Sequence, residues 1–108
     1  MEIQQYLKEM VESRDFNKDI LREYILFSEE WGELAKELRK VWETQDKLVK
    51  HGLSDEEAKR KALEEHKHTI SCEMADCLLY LINLGNLLNL DVEKAMIEKE
   101  TINAKRKW

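Results

Sequence analysis

The chain contains no proline and only three glycines in 108 residues, so very little in it can interrupt a helix. Proline removes a backbone donor and clashes with the preceding turn, and its absence therefore permits helices of unusual length. Leu, Glu and Lys, which are all strong helix formers, occupy 15, 17 and 13 positions. The composition predicts an all-α protein, and the length fits a single domain that spans residues 1–108.

Apolar residues recur at helical spacing in four segments, with no internal repeat and no linker between them. The two middle segments are much longer than the outer two. This pattern predicts a four-helix bundle built around two long central helices. The predicted helices cover residues 2–13, about 18–50, 54–89 and about 92–106.

Residues suited to helix ends lie at the boundaries of these segments. Asn17, at the end of a predicted break after the first helix, is a candidate N-cap, and so is Asp91 before the last helix. Gly52 suits the left-handed position that follows a helix. Ser54 and Glu57 match a capping box, in which the serine hydroxyl accepts a hydrogen bond from the glutamate amide.

Two of the three glycines, Gly32 and Gly85, fall inside predicted helices, where each costs about 1 kcal/mol relative to alanine. A close contact between helices would explain a glycine at such a position, because a side chain would not fit there. We expect that contact at Gly32, which lies between two glutamates of an acidic motif.

Charge and hydropathy exclude several classes of protein. The formal net charge of −5 disfavours a nucleic-acid backbone as partner. No apolar run reaches the roughly 18 residues that a membrane span needs, and the acidic, amphipathic first residues do not resemble a signal peptide. Cys72 and Cys77 would point about 140° apart on a helix and cannot bridge each other. We therefore expect a cytoplasmic protein with reduced thiols.

The small size of the chain also bears on its assembly. A helical domain this short buries a modest core, and long amphipathic helices leave apolar stripes that need a neighbour. We therefore expect a homo-oligomer, with a tetramer favoured over a dimer.

Two pairs of acids lie among apolar residues, unlike the other acids, which occupy outer faces. Glu30 and Glu33 are surrounded by aromatic and leucine residues, while Glu73 and Asp76 open the most apolar stretch of the chain. The members of each pair are three residues apart and share a helix face. Because buried carboxylates are costly without partners, a divalent cation is the usual solution. Oxygen ligands with no histidine among them suit Mg²⁺, with Mn²⁺ as a possible substitute.

The same two segments resemble a known family. The strings from Glu29 to Ala35 and from Glu73 to Asp76 are similar to the EExxE…ExxD signature of the MazG-like, all-α nucleoside triphosphate pyrophosphohydrolases. A C-terminal pattern of that family is matched by Lys99, Asn103 and Arg106. The resemblance covers about residues 18–107, although the interval between Glu33 and Glu73 is longer than in most members.

The resemblance implies Mg²⁺-dependent hydrolysis of a nucleoside triphosphate to the monophosphate and pyrophosphate, of the kind that cleans the nucleotide pool. It implies that four acids bind the metal and that Glu29 orients the attacking water or supports the metal ligands. It further implies that Lys99 and Arg106 contact phosphate oxygens and that Tyr80 and Asn103 bind phosphate or sugar. The implied metal ligands are Glu30, Glu33, Glu73 and Asp76, and the candidates for stacking on the base are Phe27, Trp31 and Trp42.

Three alternatives remain at this stage. A non-enzymatic helical interaction module, such as an antitoxin or adaptor, would use the acids only for solubility. A phosphoribosyl-ATP or dUTP pyrophosphohydrolase would share the superfamily but not the substrate. A zinc or iron site in the stretch from His66 to Cys77 is disfavoured, because the ligand spacing does not obviously converge. Solvated histidines and small core cysteines are the expected state of those residues.

Overall fold

The computed structural model describes residues 2–13 and 19–106, and every regular element in those ranges is an α-helix. This confirms the all-α prediction for that part of the chain. None of the described helices is long and apolar enough to cross a membrane. The helices, in chain order, are α1 (Glu2–Ser13), α2 (Ile20–Lys50), α3 (Asp55–Leu87) and α4 (Val92–Ala104).

Short polar side chains cap the N-termini of the last three helices. The Asp19 carboxylate accepts a hydrogen bond from the Leu21 amide at 2.9 Å and so caps α2. The predicted cap Asn17 lies outside the described residues. The Ser54 hydroxyl accepts from the amide of Glu57 at 3.3 Å, and Asp91 accepts from the amide of the third residue of α4 at 3.0 Å. The predicted caps of α3 and α4 are therefore confirmed.

The two long helices end in the same way, with a residue in the left-handed region. Gly52 follows α2 with φ +102°, as predicted, and the Leu53 amide donates back to the Leu48 carbonyl at 3.1 Å. Asn89 follows α3 with φ +57°, which asparagine tolerates better than most residues. The predicted third helix, which included Asn89, was therefore slightly too long.

The chain divides into two compact units. The first comprises Met1–Ile25 and Leu79–Trp108, and the second comprises Leu26–Leu78. The long helices α2 and α3 each contribute to both units. The second unit is a helical hairpin, in which the first part of α3 returns along the second part of α2.

Small buried residues hold the hairpin together. Ala58 and Ala62, one turn apart on α3, are fully buried, and Val41 on α2 is 8% exposed. Side chains this small allow two helices to approach closely. A hydrogen bond of 2.9 Å joins Thr44 Oγ1 on α2 to His66 Nε2 on α3. The register of the hairpin is therefore fixed by both packing and a polar contact.

In the first unit, a buried glutamine fastens α1 to the turn between α3 and α4. Gln4 is 8% exposed, its Nε2 donates to the Leu90 carbonyl at 2.6 Å and its Oε1 accepts from the Val92 amide at 3.1 Å. Asn86 Nδ2 donates to the Gln4 carbonyl at 2.9 Å. Through these hydrogen bonds Gln4 joins α1 to the end of α3 and to the start of α4.

The expectation for the two helical glycines was wrong, because the close contact lies at Gly85. A Cβ atom at Gly85 would overlap Val92 Cγ2, whereas among the described residues nothing lies within 4 Å of a Cβ at Gly32. The chain returns from α3 into α4 directly beside Gly85, which explains the tight space.

Alanine substitution of these two glycines is expected to have opposite effects. Gly32→Ala should raise the free energy of unfolding by up to about 1 kcal/mol, because it removes a flexible residue from a helix with open space around it. Gly85→Ala should lower it by about 1–3 kcal/mol, as overpacked sites do. Urea unfolding measures both changes. A Gly85→Ala, Val92→Ala double variant should lose less stability than the sum of its single changes, and additivity would contradict the contact.

Candidate metal site

Three of the four predicted metal ligands come together in the hairpin unit. Glu73 and Asp76 are one turn apart on α3, and Glu30 faces them from α2. One carboxylate oxygen from each residue lies within 4.8 Å of the other two. Glu30 and Glu73 are half-buried and Asp76 is exposed. We call Glu30, Glu73 and Asp76 the acidic trio.

The trio is electrostatically unfavourable as it stands. The pKa of Glu30 is raised above its ordinary value of 4.5, first by burial and then by the negative charges of Asp76 and Glu73. A hydrogen bond shared with Glu73 and the charge of Glu33 raise it further. Burial, followed by the charges of the trio, also raises the pKa of the Cys77 thiol. The neighbourhood therefore disfavours any additional negative charge.

One carboxylate oxygen of the trio makes no hydrogen bond to the described residues. Glu73 Oε2 is buried and has no hydrogen-bond partner among the described residues. A buried carboxylate oxygen without a donor is costly, and a cation is the ligand that would compensate it. Hard oxygen donors with no sulfur or nitrogen among them suit Mg²⁺ or Mn²⁺. The residues present therefore fit the predicted metal.

The fourth predicted ligand, Glu33, lies outside the trio. Its carboxylate is exposed and accepts from Lys36 Nζ at 3.3 Å, one turn along α2. An exposed ion pair of this kind contributes little, so Glu33 can exchange its partner at small cost. Glu29 is also exposed. The metal-binding role of Glu33 and the water-orienting role of Glu29 remain predictions.

A comparison along α2 shows what distinguishes Glu30. Glu23, Glu30, Glu37 and Thr44 follow at seven-residue spacing, which keeps them near one face of the helix. Glu23 and Glu37 are buried, at 6% and 8% exposure. Glu23 accepts from Asn83 Nδ2 at 3.1 Å, Glu37 from the Lys40 ammonium at 2.8 Å, and Thr44 is bonded to His66. Glu30 differs from the other three because its neighbours are acids.

Sequence reasoning missed this line of polar residues. The sequence patterns place Glu23 and Glu37 on outer faces with the other acids, and they assign no partner to Asn83. The seven-residue spacing was the signal that would have identified them, because an outward-facing acid has no reason to keep it.

The aromatic residues proposed to contact a base are accessible. The rings of Phe27 and Trp31 have centroids 6.1 Å apart, and Trp31 is 60% exposed. Trp31 is therefore not a core residue of the hairpin unit. Trp42 is 68% exposed. Both tryptophans are therefore accessible to a partner or a ligand, whereas Phe27 is half-buried.

The remaining predicted substrate contacts belong to the other compact unit. Lys99 and Asn103 line an apolar groove of about 630 Å³ formed by the end of α3 and by α4. Asn103 Oδ1 is buried and has no hydrogen-bond partner in the described part of the chain. Tyr80 is half-buried on α3, and Arg106 is exposed just after α4. Of these four predicted substrate contacts, Lys99 and Asn103 line the same groove.

No protein-family model, no curated protein and no solved structure matches the chain. The chemistry of the site has to be judged from its own residues.

The raised pKa of Glu30 predicts that this side chain destabilises the metal-free protein at neutral pH. The folded state then binds the Glu30 proton more tightly than the unfolded state does. The contribution of Glu30 to stability therefore falls as the pH rises from the unfolded pKa of 4.5 to the higher folded-state pKa. In EDTA at pH 7, Glu30→Gln should therefore have a higher Tm than the wild type, and the difference should shrink as the pH approaches 4.5. Thermal denaturation followed by circular dichroism measures this.

Glu29→Gln is the matched control, because it removes the same charge from the neighbouring exposed position. It should shift the Tm much less. A Glu30→Gln variant that is less stable than the wild type in EDTA at pH 7 would contradict the repulsion described here.

Proposed function

We propose that the protein is a Mg²⁺-dependent pyrophosphohydrolase that converts a nucleoside or deoxynucleoside triphosphate to its monophosphate and pyrophosphate. The observation that carries the proposal is the acidic trio. Among the described residues its three carboxylates have no cationic partner, and one of their oxygens, Glu73 Oε2, is buried and has no donor. The similarity of the flanking motifs to those of the MazG-like enzymes points to the same reaction.

In this proposal Glu30, Glu73 and Asp76 hold the metal, and Glu33 joins them by releasing Lys36. A bound Mg²⁺ would neutralise the charge of the triphosphate and lower the pKa of a bound water. Salt bridges do not explain why the three acids converge, because none of them is paired with a lysine or arginine among the described residues.

Glu29 is proposed to accept a proton from the attacking water, since it is adjacent to the trio in sequence and exposed. Lys99 and Arg106 would contact phosphate oxygens through charge-assisted hydrogen bonds. The unpartnered Asn103 Oδ1 would accept a hydrogen bond from a sugar hydroxyl, and Tyr80 would bind sugar or phosphate. Trp31 and Trp42 offer exposed rings for a base, and the half-buried Phe27 lies beside Trp31.

We also propose that the protein is a homo-oligomer, with a tetramer favoured. Large apolar side chains are exposed in both units, which is costly for a chain alone in water. In the hairpin unit they include two tryptophans. The exposed apolar residues that support the proposal are Trp31, Leu38, Trp42, Met74 and Leu78 in the second unit, and Leu21, Ile25, Leu90, Met96 and Ile97 in the first.

The enzymatic proposal is tested with a panel of canonical and modified nucleotides, dUTP and phosphoribosyl-ATP included, with release of pyrophosphate as the readout. At least one substrate should be turned over with Mg²⁺ and none in EDTA. Glu73→Gln should reduce the rate by at least about a hundredfold, beyond the usual cost of losing a supporting group. Its helix content should stay at the wild-type level, since a neutral amide of the same size relieves the repulsion in the trio.

Glu65→Gln, an exposed position on the same helix, is the control and should keep the wild-type rate. A silent panel together with no Mg²⁺ binding by calorimetry would favour the helical interaction module. Wild-type activity in Glu73→Gln would remove Glu73 from the ligand set.

The oligomer is tested by light scattering, which should give four times the 12.9 kDa chain mass. Trp42→Glu should lower that mass, because it places a charge in an exposed apolar region, whereas Lys47→Glu on the same helix should not. A wild-type protein that stays monomeric at high concentration would contradict the proposal.

A further inference from the structure

The nitrogen and sulfur donors of α3 form two distinct groups. His66 and Cys77 are engaged in the hairpin, the first through its bond to Thr44 and the second through burial at 4% exposure. His68 and Cys72 are both exposed and stand one helical turn apart. Their Nε2 and Sγ atoms are separated by 3.8 Å. The second group has no part in the packing of the hairpin or in the acidic trio.

The separation of these two atoms matches the spacing of ligands on one metal ion. Zinc takes imidazole nitrogen at about 2.0 Å and thiolate sulfur at about 2.3 Å, so a tetrahedral angle places the two donors about 3.5 Å apart. The observed distance of 3.8 Å requires only a slightly wider angle. Because both residues are on one helix, one turn apart, the backbone holds the two side chains within reach of a single ion.

We propose that His68 and Cys72 form a chelating site for a soft divalent cation of the Zn²⁺ type, with water completing the coordination. The site is chemically distinct from the acidic trio, because imidazole and thiolate select softer ions whereas carboxylates suit Mg²⁺ and Mn²⁺. When the ion binds, the Cys72 thiol releases its proton to solvent and His68 binds through an unprotonated Nε2. The exposure of both side chains gives water access to the open positions.

The chain supplies its own matched controls. Cys72 is exposed while Cys77 is buried, and His68 is exposed while His66 is bonded to Thr44. Substitution of Cys72 or His68 should therefore affect the proposed site, whereas substitution of Cys77 or His66 should not. The proposal is independent of the hydrolase activity, because none of these four residues is assigned a role in it.

The test is a titration of the reduced full-length chain with Co²⁺ in excess Mg²⁺, which competes with Co²⁺ for carboxylate ligands. A thiolate-to-cobalt charge-transfer band should appear, saturate at one ion per chain and disappear when Zn²⁺ is added. Cys72→Ser should abolish the band, and His68→Ala should weaken Co²⁺ binding by at least about tenfold, an effect of roughly 1.4 kcal/mol. Cys77→Ala and His66→Ala should leave both properties near the wild-type values.

Other outcomes would overturn the site. A band that persists in Cys72→Ser but disappears in Cys77→Ala would place the ion beside the acidic trio. Unchanged affinity in His68→Ala would leave Cys72 as a solitary thiol whose contact with His68 is only a weak hydrogen bond. Saturation at half an ion per chain, with a doubled mass, would replace the water-completed site with a bridge between two chains.

Discussion

Glu30 faces Glu73 and Asp76 across the hairpin, and the packing of the rest of the unit has to hold these like charges together. Three carboxylates within 4.8 Å repel one another, and burial prevents water from screening them fully. The arrangement persists because the helices that carry them are fixed elsewhere. The fully buried Ala58 and Ala62 and the bond from Thr44 to His66 fix the two helices farther along the hairpin.

The other buried acids of α2 show that this repulsion is specific to Glu30. The buried acids Glu23 and Glu37 each have a donor, an amide in one case and an ammonium group in the other. On α2 the buried acids before and after Glu30 have hydrogen-bond donors, whereas Glu30 faces two other acids. This arrangement fits a bound cation better than a row of salt bridges. Electrostatic strain of this kind is the cost expected of the cation site that we propose, since a bound cation would relieve it.

The helix α3 combines two kinds of donor chemistry within a short stretch. Glu73 and Asp76 form the acidic trio with Glu30 of α2, whereas His68 and Cys72 are exposed to solvent. In the two proposed sites, hard and soft donors on one helix would bind ions of different character without competing for the same ligands. The buried Cys77 takes no part in this, because burial and the neighbouring acids keep its thiol protonated.

Local chemistry determined what could be predicted from the sequence. The absence of proline, the periodicity of the apolar residues and the caps Ser54, Gly52 and Asp91 each act within a few residues, so the four helices and most of their ends followed from the sequence alone. The three-residue spacing of Glu73 and Asp76 likewise placed them on one face. The resemblance to the MazG-like motifs implies that Glu30 and Glu33 are both metal ligands, and nothing in the sequence shows that only Glu30 lies beside Glu73 and Asp76.

Tertiary structure decided the questions that depend on distant partners. Asn83 reaches Glu23 across 60 positions of sequence, while Glu33 turns to a lysine one turn away, so neither partner could be identified from helical spacing. Which glycine is required also depends on where the chain returns, and that is beside Gly85. The sequence by itself determined the helices and which side chains share a face. Only packing between helices decided which acid has no donor, because hydrogen bonds act over about 3 Å and depend on the neighbours that the fold supplies.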